Sequence, residues 1–253
     1  MNRRTSRIGY YLAVIVFLVI TIGPFVWAVI LSVTPESEMF AENLKFLPDT
    51  VIFTNYQELL TSGSSKNEML MTGMINSLEA VLITMAIGLP MSLVSAYVLT
   101  RMEFRGRRLI MDLLIITMVI PVMATIIPIY RIFSQNGLLN NMFWLSIIYV
   151  TSLLPMVTWL ESNYFATIPR EIEEAAMMDG CSRLQVFCRI IMPMSYPIII
   201  CAALIIFLNT WNMFQIPLIL ASSVDTKPIA IIASAFASTD AIEYGMTAAF
   251  GII

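Results

Sequence analysis

The chain has 253 residues, of which 58% are hydrophobic and only 12% charged, with a net charge of −3 and a mean hydropathy of +0.83. A soluble domain carries about 25% charged residues, so this composition excludes an ordinary soluble fold. Histidine is absent, which removes His-based acid–base catalysis and His metal sites; no metal, cofactor or nucleic-acid partner is expected.

The apolar surplus is gathered in runs near the roughly 20 residues that cross a hydrocarbon core. These runs predict membrane helices near Tyr10–Val33, Ile75–Thr100, Leu109–Tyr130, Met142–Glu161 and Pro197–Ala221. The first run is too long for the apolar core of a signal peptide, and no small-residue cleavage site follows it. It is therefore expected to remain as a membrane helix. A polar segment, Thr34–Thr72, follows it, with Pro35, Pro48 and Gly63-Ser64-Ser65 as turn signals. A sixth run begins near Tyr244 and stops at Ile253. It reads as a truncated last span, because ending inside an apolar run leaves backbone carbonyls unsatisfied in lipid. The chain is thus expected to be an all-α polytopic membrane protein of about six spans.

Basic residues set the expected orientation. Arg3, Arg4, Arg7, Arg101, Arg105, Arg107, Arg108, Arg170, Arg183 and Arg189 fall on one side, and Lys45, Lys66, Arg131 and Lys227 on the other. The excess of arginine puts residues 1–9 in the cytoplasm, with the spanning domain over 10–253. Cys181, Cys188 and Cys201 are odd in number and lack paired spacing, which argues against a disulfide framework. Cys181 and Cys188 could share a helix face, and plain packing is the expected role. The 19 methionines read as adaptable packing between helices.

The inside segment over 168–197 differs in kind. Ile168-Pro169-Arg170-Glu171-Ile172-Glu173-Glu174-Ala175-Ala176 reads as a helix start, with proline tolerated in the first turn and carboxylates near the positive end of the dipole. Asp179-Gly180 reads as its stop. Ser182-x-x-Gln185 then fits a capping box, opening a second helix expected to run through Phe187 and Ile190 until Pro193 and Pro197 bend it. Two short helices meeting at a glycine turn make a rigid knob. Turn chemistry alone leaves open whether it transmits force to a partner or is an ordinary re-entry hairpin.

Glu174-Ala175-Ala176, three residues, Gly180, nine residues, Ile190, one residue and Met192-Pro193 resemble the EAA signature of permease subunits of ATP-binding cassette importers. Met192 stands where leucine is usual, a mild apolar swap. Ile120-Pro121, Ile127-Pro128-Ile129-Tyr130, Gly137-Leu138-Leu139-Asn140, Asn209-Thr210-Trp211-Asn212-Met213-Phe214 with Pro217, Asn55-Tyr56 and Asn76-Ser77 look like the maltose-type sugar branch, in particular the smaller of its two paired permeases. The resemblance implies a type I importer permease fold in the inner (plasma) membrane of a prokaryote. It also implies a homologous second permease, two cytoplasmic ATPase subunits and an extracytoplasmic solute-binding protein as partners. The chain has no phosphate-binding loop of the Gly-x-x-x-x-Gly-Lys-Ser/Thr type, so it is not expected to be an enzyme, and ATP hydrolysis falls to those partners. Glu171, Glu174, Ala175, Ala176, Asp179 and Gly180 are the implied coupling residues: Glu174 to pair with a basic ATPase residue, the alanines to allow close approach, Gly180 to make the turn.

The translocation path is less legible. Asn209, Trp211, Asn212 and Gln215 place polar and aromatic groups among apolar neighbours. They read either as a sugar-lining set or as interhelical hydrogen-bonding groups. Glu79, Asp112 and Glu161 lie near predicted helix ends, so interfacial placement is expected, with Glu79 the best cavity-facing candidate. Sugar or oligosaccharide is the expected cargo, and a polyol or glycerol-phosphate ester fits the same scaffold. An ion-driven secondary transporter would favour central ionisable residues and paired broken helices, and a membrane enzyme would need clustered catalytic groups; neither pattern is clear.

Overall fold

The structure, a computed structural model, describes residues 3–40, 45–238 and 243–253, with the side chains of residues 3–8, 237 and 238 left aside. The expected cytoplasmic cluster Arg3, Arg4 and Arg7 therefore lies outside the described side chains, and Met1 and Asn2 of the 1–9 segment lie outside the described residues. Helices account for the fold, and among the described residues there is no strand. They fall into two compact units, Met1–Met71 with Ile232–Ile253, and Thr72–Ile231.

In the first unit, α1 (Arg3–Ser32) is followed by the single turn α2 (Glu36–Met39) and by α3 (Thr54–Leu60). Its spanning part, Gly9–Ser32, buries none of its apolar window. Its C-terminal end is tied down by side chains. Asn55 Nδ2 donates to the Ser32 carbonyl at 2.9 Å, and the hydroxyls of Tyr56 and Ser32 meet at 2.8 Å. Lys66 bridges Glu58 and Glu243 at 2.9 and 2.6 Å.

The second unit contains most of α4 (Ser65–Arg101), then α5 (Arg107–Val119), α6 (Val122–Gln135), α7 (Met142–Thr167), α8 (Arg170–Met178), α9 (Arg183–Val186), α10 (Met192–Met194), α11 (Tyr196–Trp211) and α12 (Gln215–Leu220). The helix α13 (Ile229–Ser238) runs on to the boundary, and α14 (Tyr244–Ile252) returns to the first unit. Among the described residues, Gly9–Ser32, Ser65–Arg101 and Met142–Thr167 are continuous helices long and apolar enough to cross a membrane. Two bent pairs meet the same test together: α5 with α6, bent by 95°, and the stretch Arg183–Met194 with α11, bent by 80°.

Several boundaries depart from the sequence expectation for identifiable reasons. The helix expected over Leu109–Tyr130 is broken at Ile120-Pro121. Proline has no N–H and pushes the residue before it to extended backbone, and Ile120 sits at φ −70°, ψ 120°. The helix expected over Pro197–Ala221 stops at Trp211, and α12 resumes at Gln215. α4 starts ten residues before the apolar run at Ile75, because Ser65–Met74 is polar but still helical. α7 likewise continues past Glu161 to Thr167.

Two clusters form the core of this unit. Ala80, Ile126, Phe133, Leu145, Tyr149, Ile216 and Leu220 pack at one end. Leu93, Ala96, Tyr97, Phe165, Ile168, Ala176, Val186, Phe187 and Ile191 pack at the end that carries the short helices α8 and α9.

Candidate functional site

The expected knob is present, and its turn is built as the residues dictate. The N–H of Cys181 donates to the Ala176 carbonyl and that of Gly180 to the Met177 carbonyl, both at 3.0 Å. This pair of bonds is the Schellman closure of a helix, which needs a residue at positive φ after the cap; Gly180 supplies it at φ +90°. Two residues later Ser182 opens α9. Its hydroxyl accepts from the Gln185 N–H at 3.3 Å, while the Ser182 N–H donates to Gln185 Oε1 at 2.8 Å. Cys181 lies ahead of this helix start, so it does not share a helix face with Cys188.

The second helix does not run straight to its prolines. Phe187–Ile191 forms a wider π turn before α10, just ahead of Pro193, which has no N–H for the regular ladder. At Ser195 the chain turns by 80° into α11.

Glu171, Glu174, Ala175, Asp179 and Gly180 are all exposed on α8 and its cap, whereas Ala176 is buried at 7% exposure. Ala176 is thus part of the knob's own core rather than its outer surface. Glu174 lines an open groove with Arg101, Glu103, Arg170, Glu173, Met177 and Arg183. Charges of both signs border this groove.

Three residues that the sequence reading passed over carry the knob's attachment. Glu173 is buried, and its Oε1 lies 2.8 Å from Arg101 Nε, with the side chains 10% and 5% exposed. The N–H is poorly aimed at that oxygen, so the contact is an ion pair rather than an aligned hydrogen bond. Tyr97 Oη donates to Glu173 Oε2 at 3.2 Å. Arg101 also donates from its terminal nitrogen to the carbonyls of Phe165 and Ile168, at 2.7 and 2.6 Å. Those carbonyls lie at the C-terminal end of α7, where acceptors lack a regular helical donor; that of Phe165 also accepts the cap N–H of Ile168 at 3.2 Å. A guanidinium is suited to that place electrostatically, and a carboxylate to the first turn of α8, by the helix dipoles. Removing one partner of such a buried pair costs about 3–5 kcal/mol. Register gave no signal, because the sequence reading placed Ala176 against the ATPase, whereas the structure turns Ala176 and Glu173, three residues apart, to one inward face.

The candidate path residues are placed differently. Asn209 and Asn212 return their side-chain amides to the carbonyls of Ile205 and Leu208, each at 2.8 Å, one turn back on their own helix. These amides bond to their own helix among the described residues. Trp211 stacks on Phe207 with centroids 5.7 Å apart and planes at 12°. Asn209, Asn212 and Gln215 line one open groove with Leu208, Met213 and Phe214; Glu79 is exposed on α4 and does not line it.

The carboxylates divide. Glu79 and Asp112 are exposed, but Glu161 is fully buried and lies well inside the end of α7, which corrects its expected place at a helix end. The correction follows from the continuation of α7 past it. Ser92 of α4 donates to Glu161 Oε1 at 3.1 Å, while Oε2 has no partner among the described residues.

Three of the weaker motif residues prove to be tethers within the second unit. Asn76 Nδ2 donates to the Lys227 carbonyl at 3.1 Å, and Ser77 Oγ accepts the Ile229 N–H at 2.8 Å. Asn140, at φ +55°, accepts through Oδ1 from the N–H groups of Ser222 and Ser223 at 2.7 and 2.9 Å.

Residues 88–253 match the family described as the binding-protein-dependent transport system inner membrane component. The chain is 30% identical to the trehalose transport system permease protein SugB of Mycobacterium tuberculosis, over 89% of this chain and 81% of that protein. It is also 30% identical to the diacetylchitobiose uptake system permease protein NgcG of Streptomyces coelicolor, over 96% and 79%. Its fold is similar to a chain in the crystal structure of a bacterial ABC transporter involved in import of the acidic polysaccharide alginate. That match has a TM-score of 0.80 at 21% identity and covers 100% of this chain and 92% of that one.

Proposed function

This chain belongs to the family of binding-protein-dependent transport inner membrane components, and we propose that it forms one half of the path for an oligosaccharide in an ATP-driven importer. The observation that carries the reading is the knob: an EAA-spaced helix closed by Gly180, with Glu171, Glu174 and Asp179 facing outward. An exposed, rigid, charged projection suits a cleft on a soluble ATPase. Glu174 would pair there with a basic residue, and Ala175 would allow close approach.

The family entails an ATPase and a solute-binding protein as partners. A homologous second permease completes the path in this reading, with two ATPase subunits beneath the pair. The arginine distribution supports a cytoplasmic N-terminus and, with it, a knob on the ATP side. Closure of the ATPase pair would drag the knob and switch the cavity from inward-facing to outward-facing, where the binding protein releases its cargo. Asn209, Trp211, Asn212 and Gln215 are the proposed contacts along the path, because amide groups beside a stacked aromatic pair suit a sugar's hydroxyls and apolar face. Glu79 stays a weaker candidate outside that groove. The names of the trehalose and diacetylchitobiose relatives support an oligosaccharide as cargo.

The test is reconstitution of the complete importer in proteoliposomes. ATP hydrolysis should rise when the binding protein is loaded with its sugar, tried across a panel of di- and oligosaccharides. Uptake that survives ATP depletion would overturn the assignment.

A further inference from the structure

Arg101 sits where three helix ends meet. It is the last residue of α4, its terminal nitrogen caps the final carbonyls of α7, and its Nε faces Glu173 in the first turns of α8. The ion pair is almost closed to solvent on both sides. Tyr97, one turn before Arg101, adds a hydrogen bond to the same carboxylate. Its ring packs against Phe187 of the π turn and Phe165 of α7, with centroids 4.8 and 6.4 Å apart. Every other acidic group on α8 is exposed, and its remaining ion pair, Arg170 with Glu103, is long at 3.8 Å and solvated. Solvated pairs of that kind contribute little, so the polar side-chain attachment of α8 to α4 rests on Glu173, beside the apolar cluster that Ala176 shares with Leu93, Ala96 and Tyr97.

We propose that Glu173, Arg101 and Tyr97 are positioning residues that make α8 move as one body with α4 and α7. The inference rests on the coupling reading of the knob and adds a route to it. The chain itself connects α8 only to α7 on one side and, through the turn at Gly180, to α9 and α11 on the other. α4 is distant in sequence and has no such connection. Through Arg101 it gains one that is short, buried and charge-directed. A displacement of the knob thus reaches α4 through side chains, at the same moment as it reaches α7. Without the pair the knob could still dock on an ATPase, but it could tilt on its hinges before α4 followed. The warrant is a physical link between defined elements rather than proximity.

The experiment uses two readouts on Glu173→Gln, which keeps the side chain's size and removes its charge. In the complete importer in proteoliposomes, solute carried per ATP hydrolysed should fall by at least about fivefold, the lower end of typical coupling between sites, while the complex still assembles. In the purified chain, spin labels on Met178 of α8 and Val94 of α4, both exposed, should give a narrow distance distribution that broadens in the variant. Tyr97→Phe, which removes one hydrogen bond, should produce the same two effects in weaker form, and Arg101→Lys should be intermediate. Asp225→Asn, exposed and away from the knob, should change neither.

A wild-type transport ratio in Glu173→Gln overturns the proposal, and so does a lowered ratio with an unbroadened distance. If Glu173→Gln does not assemble, the ratio is read in Tyr97→Phe, where a wild-type value overturns it equally. The distance measurement needs no transport, so it decides this proposal even if ATP-driven uptake by the wild-type importer fails and takes the functional reading with it.

Discussion

The side-chain oxygen of Asn140 accepts the backbone N–H of Ser222 at 2.7 Å, although the two residues lie 82 positions apart. The same oxygen accepts from the Ser223 N–H and from the Ser222 hydroxyl, so one amide carbonyl organises the start of the segment after α12. Asn140→Gly keeps the positive φ and loses the clasp; Asn140→Ala loses both. Because the site is exposed and water competes, Asn140→Gly should cost about 1 kcal/mol and Asn140→Ala roughly 1 kcal/mol more. Melting in detergent measures the difference, and limited proteolysis should cut near residues 222–226 sooner in both.

Gly180→Asp should abolish most uptake while membrane insertion persists. A Cβ at Gly180 meets nothing within 4 Å, yet φ is +90°, so the penalty is conformational, about 1–2 kcal/mol. That strain falls on the turn closing α8. Uptake and the amount of inserted protein, measured on the same membranes, separate the two effects.

Glu174→Gln should leave the isolated protein's stability within about 0.5 kcal/mol, since the side chain is exposed. It should weaken retention of the ATPase by about 2 kcal/mol or more, as for one partner of an interface charge pair. Pull-down from detergent across a salt series gives the comparison. Equal retention of ATPase by both proteins would remove Glu174 from the contact.

Glu161→Gln and Glu161→Ala should diverge. Among the described residues no cation pairs with this buried carboxyl, and Ser92 donates to it. Glutamine preserves that acceptor without a charge to bury, so its stability should equal or exceed wild type. Alanine leaves a cavity and should cost about 2–4 kcal/mol. Thermal unfolding of both in one detergent checks the order.

Trp211→Ala should raise the solute concentration giving half-maximal uptake, with less effect on the basal ATPase rate, because it removes one ring of a stacked pair. Loss of one aromatic contact is worth roughly 1 kcal/mol, about a fivefold shift. Titration of uptake against solute, with the binding protein held in excess, reads it.

The knob was legible in the sequence because its signals are local. Gly180 and Ser182 with Gln185 each act within one turn and stand in the structure as their chemistry implies, while Pro169, expected in the first turn, sits one residue earlier as the extended N-cap of α8. What the sequence hid was non-local. Nothing near Glu173 announces Arg101, 72 positions earlier, and the apolar run around Met142–Glu161 gives no hint that helix continues to Thr167 and buries Glu161. The break at Ile120 was marked by Pro121, but apolarity alone cannot tell a kinked span from a 95° turn. Asn209 and Asn212 were legible as polar positions only. Whether an amide reaches a neighbour or its own helix depends on the rotamer, which composition does not encode.

The turn at Gly180 is, finally, a matter of chirality. A backbone at φ +90° with open space around the missing Cβ is as comfortable for a D-residue as for glycine. D-alanine placed there by chemical ligation should close α8 as well as glycine does. It should do so with fewer unfolded conformations to lose, by about 0.4–1 kcal/mol as for glycine replaced at a compatible site. L-alanine, of identical size and composition, should loosen the same turn. The mirror pair would show that the knob's closure depends on which hand the backbone takes at one atom, independently of volume, charge or polarity.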